Sequence, residues 1–288
     1  MNRELVNFFL DHLSIERRLS PHTITSYATD LEQFIAFIEP RGLLEVQAMD
    51  VRKWLISLSD DTIQNRSINR KLATLRTFYK YLLRSGKVTE NPMTSIRMVK
   101  TTKKLPHFVR ESEMENLVEN RKIASNFSEA RDELILFLLY GTGIRLAELI
   151  SLQNSQVNLV AKTIRVIGKR NKERVIPVPQ LLIELIQAYR GFCIFENSHL
   201  LLTDKGDPLY PMFVQRLVKK NLGEFSQLEK LSPHVLRHTY ATHLLNRGAD
   251  LNAIKELLGH ANLAATQVYT HNSMEKMKAI YLQAHPKA

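Results

Sequence analysis

Apolar residues recur every three or four positions through the first hundred residues, the repeat of helices that bury one face. Leu5, Phe8, Phe9 and Leu13 form the first stripe. Ser20-Pro21 marks a second start, because serine caps free N–H groups and proline's fixed φ suits the first helical position. Tyr27, Leu31, Phe34, Ile35 and Ile38 continue it at helical spacing. Val51, Trp54, Leu55 and Leu58 predict a third helix. Ile68, Leu72, Leu75, Phe78, Tyr79 and Leu82 predict a fourth that ends near Gly86. No strand is expected in this region, which Asn91-Pro92 closes.

The pattern changes after residue 110. Leu134 to Tyr140 is continuously apolar, as in a buried helix, with Gly141 as its stop. A new helix is expected to restart at Thr142 or Gly143 and to carry Arg145 and Glu148. Thr163 to Ile167 and Val175 to Val178 are rich in β-branched residues and flank Gly168-Lys169-Arg170-Asn171-Lys172-Glu173. That arrangement predicts a β-hairpin with a charged tip. Further helices should begin at Ser232-Pro233, near Asp250 and around Leu263. The fold class is therefore mainly α with a small β-sheet. An all-helical domain (1–96) should precede a mixed α/β domain (111–288). Between them, 97–110 holds Lys100, Lys103, Lys104 and Pro106 with few apolar residues, and reads as a basic linker.

Composition narrows the possible partners. A chain of 288 residues accommodates two domains, and 44% hydrophobic content suffices for packed cores. The net charge of +11 favours an anionic partner, nucleic acid before membrane. A lone cysteine, Cys193, excludes an intramolecular disulfide and a cysteine-based zinc site, and fits a reducing cytoplasm. The opening MNRELVNFFLDHL is broken by Glu4, Asp11 and His12, so it does not read as a signal peptide. The longest apolar run falls far short of the ~20 residues a spanning helix needs. A cytoplasmic protein without membrane insertion is expected.

Candidate DNA contacts follow from the basic faces. Arg66, Asn69, Arg70, Lys71 and Arg76, with Asn65, decorate the start and outer side of the fourth helix. Such cationic and amide groups suit phosphates and base edges, although a solvated helix face accounts for them equally well. Lys100, Lys103 and Lys104 of the linker, and Arg170 and Lys172 of the hairpin tip, extend the set.

The chemistry is concentrated in scattered side chains. Cleaving DNA without a metal requires a nucleophile, cations for the phosphate oxygens and a proton for the leaving 5′ oxygen. Positioning and charge stabilisation supply most of phosphoryl-transfer catalysis. Arg145 and Arg237 are natural clamps, being permanently charged and bidentate toward phosphate. His234 lies three residues before Arg237 and shares its helix face. It can exchange a proton with a phenol near neutral pH. Lys169, at a hairpin tip, can reach along a groove as general acid. Tyr269 offers a phenol for a covalent phosphotyrosine, which keeps the phosphodiester energy and makes ATP unnecessary. Each residue alone has an ordinary structural explanation; an isolated tyrosine is most often half-buried core. His234 and His238 are also spaced like zinc ligands, but Val235 stands where the H-E-x-x-H motif needs glutamate. No metal and no cofactor is expected.

Taken in order, LLYGTGIRLAELISL, IRVIGKRNKERVIPVP, SPHVLRHTYATHLL and ELLGHANLAATQVYTH resemble the tyrosine recombinase (phage integrase) family over nearly the whole chain. The resemblance implies a SAM-like core-binding domain and a catalytic domain that together clamp a duplex. It implies phosphate-binding Arg145 and Arg237, general acid Lys169, acid/base His234 and nucleophile Tyr269. His260 is implied to hydrogen-bond the phosphate, and Glu148 to support the site. Arg170 departs from the pattern, where glycine commonly follows the hairpin lysine. The implied activity is cutting and rejoining DNA through a 3′-phosphotyrosine within a recombinase tetramer on two sites. The housekeeping branch, which resolves chromosome dimers with a second recombinase and a septal DNA translocase, is the best match. A mobile-element integrase is the alternative within the family, and a catalytically silent DNA-binding protein the alternative outside it. The helically spaced Met274, Met277, Ile280 and Tyr281 are expected to dock on a neighbouring protomer.

Overall fold

A computed structural model describes residues 2–60, 63–101, 107–168, 173–226, 228 and 231–259. The chain divides into two compact units, Met1–Lys104 and Leu105–Ala288. Among the described residues no helix is long and apolar enough to cross a membrane.

The first unit is helical. α1 (Asn2–Asp11) runs into a short π-helical turn (His12–Glu16) and is followed by α2 (Pro21–Ile38), α3 (Ala48–Asp60) and α4 (Asn65–Arg84). The α2 start is as expected: Ser20 Oγ accepts from the Thr23 amide at 3.4 Å. The core gathers Phe9, Leu31, Phe34, Trp54, Leu72 and Phe78 among others. The first stripe needs a correction. Phe8 is 65% exposed, and Val6 takes the inward place. Val6, Phe9 and Leu13 complete an i, i+3, i+7 stripe, and Phe8 points well round the helix from it.

The polar side of α4 is largely engaged within its own unit. Lys71 is buried, which corrects its expected place on the outer face. Its Nζ lies 3.3 Å from Asp30 Oδ1 and also bonds Gln33 Oε1. Asp30 is fully buried and receives Arg70 Nη1 at 2.5 Å and Thr74 Oγ1 at 2.9 Å. A carboxylate removed from water demands such partners, and this drew a lysine inward that helical periodicity alone left outside. Asn69 exchanges two 2.8 Å bonds with the Val99 backbone, Asn65 donates to Lys100 O, and Arg76 donates to Ile96 O. The first residues of the basic segment thus lie along α4. Arg66 and Lys100 are exposed. Lys103 and Lys104 lie outside the described residues.

The second unit contains α5 (Glu111–Glu119), α6 (Phe127–Thr142), α7 (Leu146–Ile150), α8 (Gln180–Phe192), α9 (Pro211–Gly223), α10 (Pro233–Asn246) and α11 (Leu251–Leu258). Its sheet has strand order β1 (Val157–Asn158), β2 (Thr163–Ile167), β3 (Glu173–Pro177), all antiparallel. The β2–β3 pair is the expected hairpin, in a register that sets Ile164 opposite Ile176 and Val166 opposite Arg174. β1, two residues long, carries too little pattern to be foreseen. α6 is buried from Leu134 to Thr142 and packs between α8 and α10.

Two expectations at the α6–α7 corner are corrected. Gly141 lies inside α6, and the stop is Gly143, which takes φ +58°. The following helix begins only at Leu146, with Arg145 as its N-cap residue. A Cβ at 143 would meet the Tyr240 ring at 2.5 Å and Leu258 at 2.8 Å. Only glycine satisfies both the left-handed backbone and that close approach. At the start of α10, Pro233 occupies the first helical position, yet the Ser232 side chain makes no cap bond. Its carbonyl instead accepts from Val235 and Leu236. The helix expected around Leu263 lies outside the described residues.

Buried His243 fastens the entry of this unit. Its Nε2 lies 2.9 Å from Val109 O, so that nitrogen donates, and the Tyr140 hydroxyl donates to Nδ1 at 3.0 Å. The Val109 amide donates to Thr239 Oγ1 at 2.9 Å. Burial lowers the imidazole pKa and keeps this neutral tautomer in place.

Candidate active site

Three arginines from distant parts of the chain converge beside one carboxylate. Arg145 precedes α7, Arg174 projects from β3 and Arg237 from the second turn of α10. Glu148, in the first turn of α7, is buried at their centre. Arg174 grips it bidentately, Nη1 to Oε1 at 2.9 Å and Nη2 to Oε2 at 2.8 Å. Arg145 adds its Nη1 to Oε1 at 2.8 Å and its backbone amide to Oε2 at 2.9 Å. One acidic residue three positions after Arg145 therefore caps α7, orients the Arg145 side chain and neutralises a buried cation.

The guanidiniums are also tied to the end of α11. Arg174 Nε donates to Leu257 O at 2.8 Å, Arg237 Nη2 to Leu258 O at 2.5 Å, and Arg145 Nη2 to Gly259 O at 2.9 Å. Arg237 Nη1 also donates to Gly143 O. These carbonyls are the orphan acceptors of two helix ends, α6 and α11, and cations suit that end of the helix dipole. A guanidinium has five N–H donors. Arg145 and Arg237 keep donors beyond those committed here, on a cluster of three cations against one anion. The Arg145 side chain is 37% exposed, whereas Arg237 is buried. Such remaining guanidinium donors are of the kind that bind an oxyanion.

The ionisation of these groups reflects the packing. Burial by itself would raise the Glu148 carboxyl, but the Arg174 and Arg145 bonds outweigh it and hold the pKa at about 2. Burial, then repulsion from Arg145 and Arg174, pulls Arg237 down to about 10, so it stays charged at neutral pH. The depressed carboxyl contributes its full stability above its ordinary value of 4.5 and loses it as pH falls toward about 2. That linkage is worth about 3 kcal/mol. Unfolding of the wild type between pH 5 and pH 3 is therefore expected to depend more steeply on pH than that of Glu148→Gln. Denaturant titrations across this range provide the measurement, and parallel slopes would contradict the ion pairing.

The remaining expected residues divide clearly. His234 is exposed in the first turn of α10, on the side where helix N–H groups favour an anion. His238, one turn later, is partly buried against Phe108 and has its pKa lowered by burial and by His234. Lys169, Arg170, Lys172, His260 and Tyr269 lie outside the described residues, as does the 273–282 segment. Gly259, described up to its left-handed φ of +64°, leads directly to His260. Arg174 was not among the expected residues. The signal for it was present: it alternates with Ile176 on the inward face of β3, and a cation on such a face must have a partner.

Residues 107–276 match the phage integrase family, and 6–86 match the N-terminal SAM-like domain of phage integrases. The chain belongs to this family, the tyrosine recombinases, enzymes that cleave and rejoin DNA. Within it the similarity is to XerC. The chain is 38% identical to Tyrosine recombinase XerC of Chlorobaculum parvum, covering 97% of this chain and 94% of that protein. It is 40% identical to Tyrosine recombinase XerC of Pelobacter propionicus, covering 99% and 96%. Among solved structures, the Tn1549 transposon integrase in complex with transposon right end DNA aligns with a TM-score of 0.76 at 16% identity, over 96% of this chain and 98% of that one. This likeness establishes the shared fold.

Proposed function

We propose that the arginine cluster is the phosphate site of a XerC-like site-specific recombinase. Arg145 and Arg237 hold the nonbridging oxygens of the scissile phosphate. Tyr269 attacks phosphorus and forms a 3′-phosphotyrosine, while His234 exchanges the phenolic proton. Lys169 protonates the leaving 5′ oxygen, and His260 adds a hydrogen bond to the phosphate. Rejoining reverses these steps, with the deoxyribose 5′ hydroxyl displacing the tyrosine. The observation that carries the reading is the joint seating of Arg145 and Arg237 on the end of α11, immediately before the segment that leads to His260 and Tyr269.

The biological setting follows the similarity to XerC: resolution of chromosome dimers in the cytoplasm. Four protomers assemble on two sites, with a XerD-like partner and a septal DNA translocase. Residues 1–96 serve as the core-binding domain and 111–288 as the catalytic domain. Between them 97–110, with its lysines, follows the DNA backbone. The 273–282 segment docks on a neighbouring protomer. Mapping tyrosine-linked cleavage on DNA from the region of the replication terminus tests this reading. A single cleaved site there, cut equally well in EDTA, is expected. Adducts confined to the ends of a mobile element would replace the housekeeping role with integration. A strict need for a divalent ion would overturn the proposed chemistry.

A further inference from the structure

Arg174 has no place in the chemistry proposed above, yet among the three arginines of the cluster its side chain makes the most hydrogen bonds. It is buried, and one rigid fork makes three bonds, two to Glu148 and one to Leu257 O. Stability alone does not call for this arrangement, because well-packed apolar residues replace buried ion pairs at little or no cost. What the fork accomplishes is registration. Its two Nη atoms fix both carboxylate oxygens, and those same oxygens hold Arg145 by side chain and backbone. Its Nε fixes the first of three consecutive carbonyls, and the next two receive Arg237 and Arg145. Arg174 thus touches two of the supports on which the phosphate-binding pair rests, Glu148 and the end of α11; the third, Gly143 O, holds Arg237 alone.

The turn after α11 is built around the same side chain. A Cβ at Gly259 would lie 3.2 Å from Arg174 Cδ and Nη1, and Gly259 takes a φ of +64°. The chain therefore passes directly over the guanidinium on its way to His260. We propose that Arg174 is a positioning residue that sets the separation and aim of Arg145 and Arg237, an inference that rests on reading those two as the phosphate clamp. Lysine cannot substitute, since a single ammonium lacks the planar fork that spans a carboxylate and a carbonyl together.

The test compares Arg174→Lys, Arg174→Gln, Glu148→Gln and the double variant Arg174→Gln/Glu148→Gln in the full chain. Each is assayed for single-turnover cleavage of a nicked suicide substrate at saturating DNA. Affinity for the same site is measured separately, and rates are referred to the folded fraction from circular dichroism. Misplacement by about 1 Å slows a positioned reaction roughly 100-fold, and a loss of that order in cleavage rate is expected for every single variant. Affinity should change by less than threefold, and lysine should give no rescue. The double variant should cut no more slowly than the slower single, because both act through one support. Wild-type cleavage rates in Arg174→Gln, full rescue by lysine, additive losses, or losses that track the folded fraction would each overturn the positioning role. If Arg174→Gln does not fold, Arg174→Lys, which keeps charge and stem, carries the decision by the same rate criterion. A wild-type protein that forms no adduct would overturn the clamp reading itself; normal wild-type cutting with unaffected Arg174 variants overturns this inference only.

Discussion

Phenylalanine in place of Tyr269 is expected to bind DNA as the wild type does and to form no covalent complex with it. The substitution removes one oxygen, the atom proposed to attack phosphorus, and leaves the ring. A nicked suicide substrate makes the difference absolute, because the fragment released after attack cannot return and every turnover leaves a trapped protein–DNA species. Denaturing gels should show that species for the wild type and none for Tyr269→Phe. Residual trapping would place the nucleophile elsewhere. Tyr240, only three residues beyond Arg237, is the nearest tyrosine in sequence to the clamp, but its burial pushes the phenol up and closes it off from a phosphate.

The arginine substitutions should have the second largest effect. Arg237→Ala and Arg145→Ala are each expected to slow cleavage by about three powers of ten or more, the scale on which arginines stabilise phosphoryl transfer. Affinity for the site should fall far less, since many other phosphates are contacted by a clamp of this kind. The two variants should differ in stability. Arg237→Ala strands the Gly143 and Leu258 carbonyls that its side chain satisfies, at about 1–3 kcal/mol for each buried group left unpaired. Arg145 is partly exposed, so its loss should be milder. Single-turnover rates, binding isotherms and denaturation midpoints measured together separate these contributions. Equal losses in rate and affinity would assign the arginines to ground-state binding alone.

The architecture was legible in the chain wherever a local pattern sufficed. α2 and α4 follow from uninterrupted helical spacing, and the β2–β3 pair from two β-branched runs around a charged tip. Arg145, His234 and Arg237 stood out because their motifs are specific in combination. What the pattern missed depended on tertiary partners. Gly141 and Gly143 are equivalent as local helix stops in the sequence, and the left-handed turn at Gly143, packed against Tyr240 and Leu258 of α10 and α11, is visible only in the fold. Lys71 reads as surface until Asp30, on another helix, is seen to be buried beside it. Arg174 was not singled out in the sequence, because its partner Glu148 lies 26 residues away along the chain.

The seating of three guanidiniums on Leu257, Leu258 and Gly259 has a consequence for the safety of such an enzyme. The arginines come from elements separated along the chain, and among the described residues their alignment rests on the ends of α6 and α11 and on the Glu148 carboxylate. A molecule in which α11 has come away therefore loses three of the bonds that align these guanidiniums. On the proposed reading of Arg145 and Arg237, half-folded or locally unravelled copies are expected not to break DNA.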